Sequence, residues 1–131
     1  MVSTRSSPIS PEEICQNRAG LHIISNFETD KIELLYTGEQ FRRFIDAAII
    51  RNELNKVGEA YHDFEGGGFT AVVCLAESHL SIHTWPSRRY VTFDIFLSNF
   101  TMDNSPKAEA IYKDVLSFFD AKVIFEKTLD R

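Results

Sequence analysis

A chain of 131 residues, 44% hydrophobic and 25% charged, has the makeup of one globular domain with a single core. Its net charge of −5 argues against a nucleic-acid or membrane-surface partner, which would want a basic patch, and suits a small cationic ligand. Cys15 and Cys74 are too few and too far apart for a disulfide framework or a zinc site. Residues 1–19 read as a polar tail, with Ser10-Pro11-Glu12-Glu13 able to open one short helical turn. The tail lacks the apolar stretch of a secretory signal, and no apolar run approaches the about 18 residues of a membrane span. A cytoplasmic location is therefore expected.

The strand GLHIISNFE (20–28) follows. Thr37-Gly38-Glu39-Gln40 matches a capping box, and Phe41, Phe44, Ile45, Ala48 and Ile49 continue at helical spacing, to about Leu54. EAYHDF (59–64) reads as a strand ending in the flexible bend Glu65-Gly66-Gly67-Gly68. Three strands then follow in succession, at 70–77, 79–85 and 89–98. Ser105-Pro106 caps a second helix with Ile111, Tyr112, Val115, Phe118 and Phe119 on one face, and AKVIFEK (121–127) is a last strand.

Each helix has one apolar stripe, so both cover the same face of an antiparallel sheet. The expected fold is an α/β (α+β) two-layer sandwich in the order β-α-β-β-β-β-α-β. Strand parity assigns the faces. Val91, Phe93, Ile95 and Leu97 point inward with Leu80 and Ile82; Tyr90, Thr92, Asp94, Ser98, His79, Ser81, His83 and Trp85 share the other side. A sheet face carrying His, Ser, Asp and Trp is either solvated or an active site.

The run LAESHLSIHTWP (75–86) resembles the signature of the prokaryotic S-adenosylmethionine decarboxylases, which are self-processing pyruvoyl enzymes. The resemblance extends over residues 20–131, leaving the tail outside. It implies self-cleavage between Glu77 and Ser78 into 1–77 and 78–131. The Ser78 hydroxyl attacks the Glu77 carbonyl, β-elimination frees the upstream chain, and loss of ammonia leaves a pyruvoyl group where Ser78 stood. That group forms a Schiff base with the substrate amine and serves as the electron sink for decarboxylation. No metal is implied. The resemblance gives His83 and Thr70 roles in processing, Thr70 standing where the family has a serine. It puts the aromatics Phe64 and Trp85 near the substrate.

The residues alone are consistent with this chemistry: an acyl shift needs a strained turn, a base and an oxyanion donor. Taken singly, each piece has a plain alternative. Ser78 suits a turn, His79 and His83 suit a surface or half a metal site, and Phe64 and Trp85 suit core packing.

Two positions depart from the family pattern. Ser98, in DIFLSN, occupies the place of a cysteine that protonates the carbanion, and a hydroxyl is a poor acid beside a thiol. Cys74 lies four residues before Ser78, about 13 Å along an extended strand, too far to substitute; His79 is a candidate acid. Ser87, followed by Arg88 and Arg89, replaces a glutamate that binds ribose hydroxyls, a charged contact of about 1.5–3 kcal/mol. Asn26 likewise replaces a position that is usually acidic. These changes spare processing and strike substrate binding, so the expectation leans to a basic amino acid, L-arginine or L-ornithine. The alternative is a true S-adenosylmethionine decarboxylase supplying the aminopropyl donor for spermidine. A further alternative is an inactive regulatory subunit paired with an active paralogue. The resemblance also implies a homodimer in which both protomers line each active site.

Overall fold

Every second side chain is buried in β1 (Gly20–Glu28), β3 (Phe69–Leu75), β4 (Ser78–Trp85) and β5 (Tyr90–Ser98). Such period-two burial calls for a sheet with one covered face. The structure, a computed structural model, describes residues 20–100 and 102–131. The tail at 1–19, with the turn expected at Ser10–Glu13 and with Cys15, lies outside the described residues. β2 (Lys56–Asp63) and β6 (Lys122–Asp130) complete a six-stranded antiparallel sheet of order β2-β3-β4-β5-β1-β6. Two helices, α1 (Glu39–Arg51) and α2 (Ser105–Phe119), pack on one face. The element order and the two-layer architecture are those expected.

The core is aromatic where helices meet sheet. Phe41 of α1 is fully buried among Phe69, Phe119 and Phe44. Phe119 of α2 packs on Phe27, and Tyr112 stacks on Phe93. Tyr112 also fastens α2 to the sheet, its hydroxyl lying 2.7 Å from Ser25 Oγ and donating to Glu126. Burial, and then the Glu126 bond, push its pKa up to about 12, so the phenol keeps its proton.

Helix ends differ from the motif reading for reasons of tertiary packing. The cap of α1 is Gly38, not Thr37, and no side chain caps it. Its N–H donates to Asp63 Oδ1 at 2.9 Å. A Cβ there would come within 2.8 Å of the Tyr61 ring, so close approach of β2 selects glycine and displaces the capping box. α1 stops at Arg51 rather than near Leu54, because Glu53 turns left-handed at φ 57°. Asn104, not Ser105, precedes α2, and its amide reaches back to the Ser98 carbonyl at 2.8 Å.

Among the described residues, no helix lies over the other face of the sheet. The parity reading holds: Val91, Phe93, Ile95, Leu97, Leu80 and Ile82 are buried against the helices, and Asp94, Ser81, His79 and His83 lie opposite. This open face carries the candidate chemistry.

Candidate active site

Chemistry-bearing residues gather at two places on the open face, at opposite ends of β4. At its start, β3 ends at Leu75 and Leu75 pairs with Ser78. Ala76 and Glu77 therefore form a two-residue hairpin turn, two residues earlier than the strand end read from sequence. Ser78 has a φ of 147°, a region sparsely populated by residues with a side chain and costing about 1–3 kcal/mol. The Glu77–Ser78 bond is thus the strained exit of a tight turn.

Three sets of contacts hold that bond. The Ser98 N–H donates to the Glu77 carbonyl oxygen at 2.8 Å. Ser78 Oγ lies 3.1 Å from His79 Nδ1. Asn55 grips the turn itself: its carbonyl accepts from Ala76 N–H at 2.8 Å, and its backbone and side-chain N–H groups donate to the Glu77 carboxylate at 3.2 and 3.0 Å. A hydroxyl beside the bond, a polarised carbonyl and an adjacent imidazole are the parts an acyl shift uses.

At the far end of β4, Thr70 Oγ1 and His83 Nδ1 are hydrogen-bonded to each other, in register across β3 and β4. The Phe64 ring lies 5.5 Å from the His83 ring, and the Trp85 ring 4.1 Å from it. Phe64, His83, Trp85 and Ser87 line one cleft of about 240 Å³, bordered by Gly67 and Pro86. Gly68, at φ 102°, shapes this rim; a Cβ there would lie 2.9 Å from the Thr84 carbonyl oxygen. The aromatics are thus on the open face rather than in the core.

The structure therefore brings Glu77, Ser78 and Ser98 together, and separately Thr70, His83, Phe64, Trp85 and Ser87. Between the two groups, a cavity of about 380 Å³ on the open face is lined by Thr70 and His83 together with Ser81, Asp94 and His22. Ser78 and His83 are five steps apart along β4, about 16 Å at roughly 3.3 Å per residue.

The family model for S-adenosylmethionine decarboxylase matches residues 21–131. The chain belongs to the S-adenosylmethionine decarboxylase family. Its members are pyruvoyl-dependent carboxy-lyases made as proenzymes, so the chain is classed as a decarboxylase. A relative from Archaeoglobus fulgidus, an S-adenosylmethionine decarboxylase proenzyme, is 38% identical over 86% of this chain and 96% of its own length. One of the same name from a Hydrogenobaculum species is 31% identical over 86% of this chain and 81% of its own. The crystal structure of the adenosylmethionine decarboxylase from Aquifex aeolicus superposes with a TM-score of 0.77 at 29% identity, covering 88% of this chain and 92% of that one.

Against this decarboxylase family, the departures at Ser98 and Ser87 take on a physical setting. Ser98 lies at the end of β5, its N–H on the Glu77 carbonyl and its hydroxyl accepting from Phe100 N–H at 3.1 Å. The extended-strand distance for Cys74 does not hold. The hairpin folds Cys74 back opposite His79, so the one described cysteine is exposed on the open face beside the turn. Strand parity places Asp94 and Ser81 on the outward polar face without a role, and His22 and Asn55 went unrecognised as site residues. Among the described residues no helix is long and apolar enough to cross a membrane, and no three His, Cys, Asp or Glu side chains group as a metal site.

Proposed function

We propose that the protein cleaves itself at Glu77–Ser78 and then decarboxylates S-adenosylmethionine. The observation that carries the first half is Ser78 itself: a positive φ at the scissile residue, its hydroxyl on an imidazole and the adjoining carbonyl on the Ser98 N–H. These residues fit a group made from Ser78. Once formed, a pyruvoyl group supplies a carbonyl for the substrate amine and an electron sink for the carbanion left by carbon dioxide. The chain's own residues do the rest. The turn strains the bond, the Ser98 N–H takes up the oxyanion charge, and Asn55 keeps Glu77 seated.

For the substrate, the relatives' names and the cleft favour the nucleoside over a basic amino acid. Phe64, His83 and Trp85 make an aromatic array without a carboxylate among the cleft's lining. Such an array suits a stacked purine and a sulfonium cation. A guanidinium or ammonium side chain would want an acidic partner. The lean to L-arginine or L-ornithine therefore gives way, and the expected product is the aminopropyl donor of polyamine synthesis. With Ser87 in place of a carboxylate, the ribose is held less tightly, by about 1.5–3 kcal/mol for the lost charged bond.

The separation of the two half-sites supports the homodimer. Two open faces packed about a twofold axis can bring one copy's Ser78 turn to the other copy's Thr70–His83 pair and aromatic cleft. An inactive regulatory subunit would have no use for the strained turn and its donors. The substrate reading is tested by following carbon dioxide release from S-adenosylmethionine, L-arginine and L-ornithine offered separately. Turnover of S-adenosylmethionine, improved in KM by Ser87→Glu, is expected. Turnover of L-arginine or L-ornithine alone would overturn it.

A further inference from the structure

Ser78 has an imidazole of its own. The resemblance assigns processing to His83, yet the ring in contact with Ser78 Oγ is that of His79, 3.1 Å away at Nδ1. His79 Nε2 faces Asp94 Oδ2 at 3.8 Å. The same Oδ2 accepts from His22 Nε2–H at 2.8 Å, and Oδ1 accepts from the Ser81 hydroxyl. Behind His22, Arg131 Nη1 lies 3.3 Å from Nδ1. The tautomers follow from the partners. His22 donates at Nε2 and accepts from the guanidinium at Nδ1; His79 accepts the Ser78 hydroxyl proton at Nδ1 and carries its own proton on the side of Asp94.

We propose that His79 is the base of the acyl shift that begins self-cleavage, with Asp94 as its counter-charge and His22 and Ser81 as the residues that hold Asp94 in place. The inference rests on the reading that Glu77–Ser78 is cut. In the step, the Ser78 Oγ–H bond breaks and the proton passes to His79 Nδ1 as Oγ bonds to the Glu77 carbonyl carbon. The bond from that carbon to the Ser78 nitrogen then breaks, and His79 returns the proton to the departing amine. An ester and a free amine result, and His79 ends neutral. The imidazolium exists only between these events, when Asp94 stabilises it. His79 is 41% exposed and Asp94 24% exposed at the side chain. Solvent therefore screens the pair, and Asp94 matters less than His79 itself.

The test follows conversion of newly synthesised full-length chain into 1–77 and 78–131. A positioned base contributes about 10²–10⁴-fold, so His79→Ala is expected to slow cleavage at least about 100-fold and Asp94→Asn about 10-fold. Added imidazole is expected to restore cleavage in His79→Ala, which a misfolded variant would not allow. The titratable groups around His79 are Cys74 on β3, Asp94 on β5, His22 on β1 and Arg131 after β6. The fall in wild-type rate at acid pH is expected to vanish in His79→Ala and to persist in Cys74→Ala. Wild-type chain that never cleaves would overturn the reading beneath the inference. Wild-type chain that cleaves while His79→Ala keeps pace would overturn the inference alone. So would a slow His79→Ala that imidazole does not rescue and whose acid limb remains.

Discussion

Neither Ser78→Ala nor His83→Ala is expected to cleave alone, yet the two co-expressed are expected to yield cleaved His83→Ala chain. The first lacks the nucleophile, the second the imidazole paired with Thr70. In a mixed dimer, the His83→Ala chain brings an intact Ser78 turn and its partner brings an intact Thr70–His83 pair. The geometry leaves little room for another route, since about 16 Å of strand separates Ser78 from His83 in one protomer. Mass spectrometry distinguishes the two mutant chains. At most about half the chains can be cut, because the Ser78→Ala copy has no hydroxyl to give. Cleavage of His83→Ala by itself, at the wild-type rate, would show that His83 takes no part.

The second large effect concerns the backbone of Ser98. Its N–H is the donor on the Glu77 carbonyl, and removing one oxyanion donor costs about 10²–10³ in rate. Ser98→Pro deletes that N–H and is expected to slow cleavage by this factor. Ser98→Ala keeps the N–H, removes only the hydroxyl, and is expected to cleave at close to the wild-type rate. The contrast separates the role of position 98 in processing, carried by the main chain, from any role in protonating the product, carried by the side chain. Circular dichroism of the proline variant checks that β5 still pairs with β4. Equal rates for both variants would remove the oxyanion role.

Period-two and helical spacing made the layers legible, because burial of Val91, Phe93, Ile95 and Leu97 in the core shared with the helices is a one-dimensional pattern projected onto two faces. Cap positions were not, since Gly38 is set by Tyr61 and Asp63, residues more than twenty positions on. The site was half legible for the same reason. Glu77, Ser78 and His79 adjoin in sequence, and Phe64, Trp85 and Ser87 share a cleft. The pairing of β1 with β5 that delivers His22 to Asp94 spans 72 residues, and no local signal announces it. The distance assigned to Cys74 failed because a two-residue turn reverses the chain just before Ser78. The division into two half-sites follows from strand direction alone. The strand read over 79–85 already set Ser78 and Trp85 at its two ends.

Self-cleavage is the claim on which the rest depends, and denaturing mass spectrometry of the freshly purified protein tests it most directly. Two chains, 1–77 and 78–131, are expected, the second lighter by one ammonia than a chain beginning with serine. A single intact chain, or a downstream fragment that still begins with serine, would contradict the account.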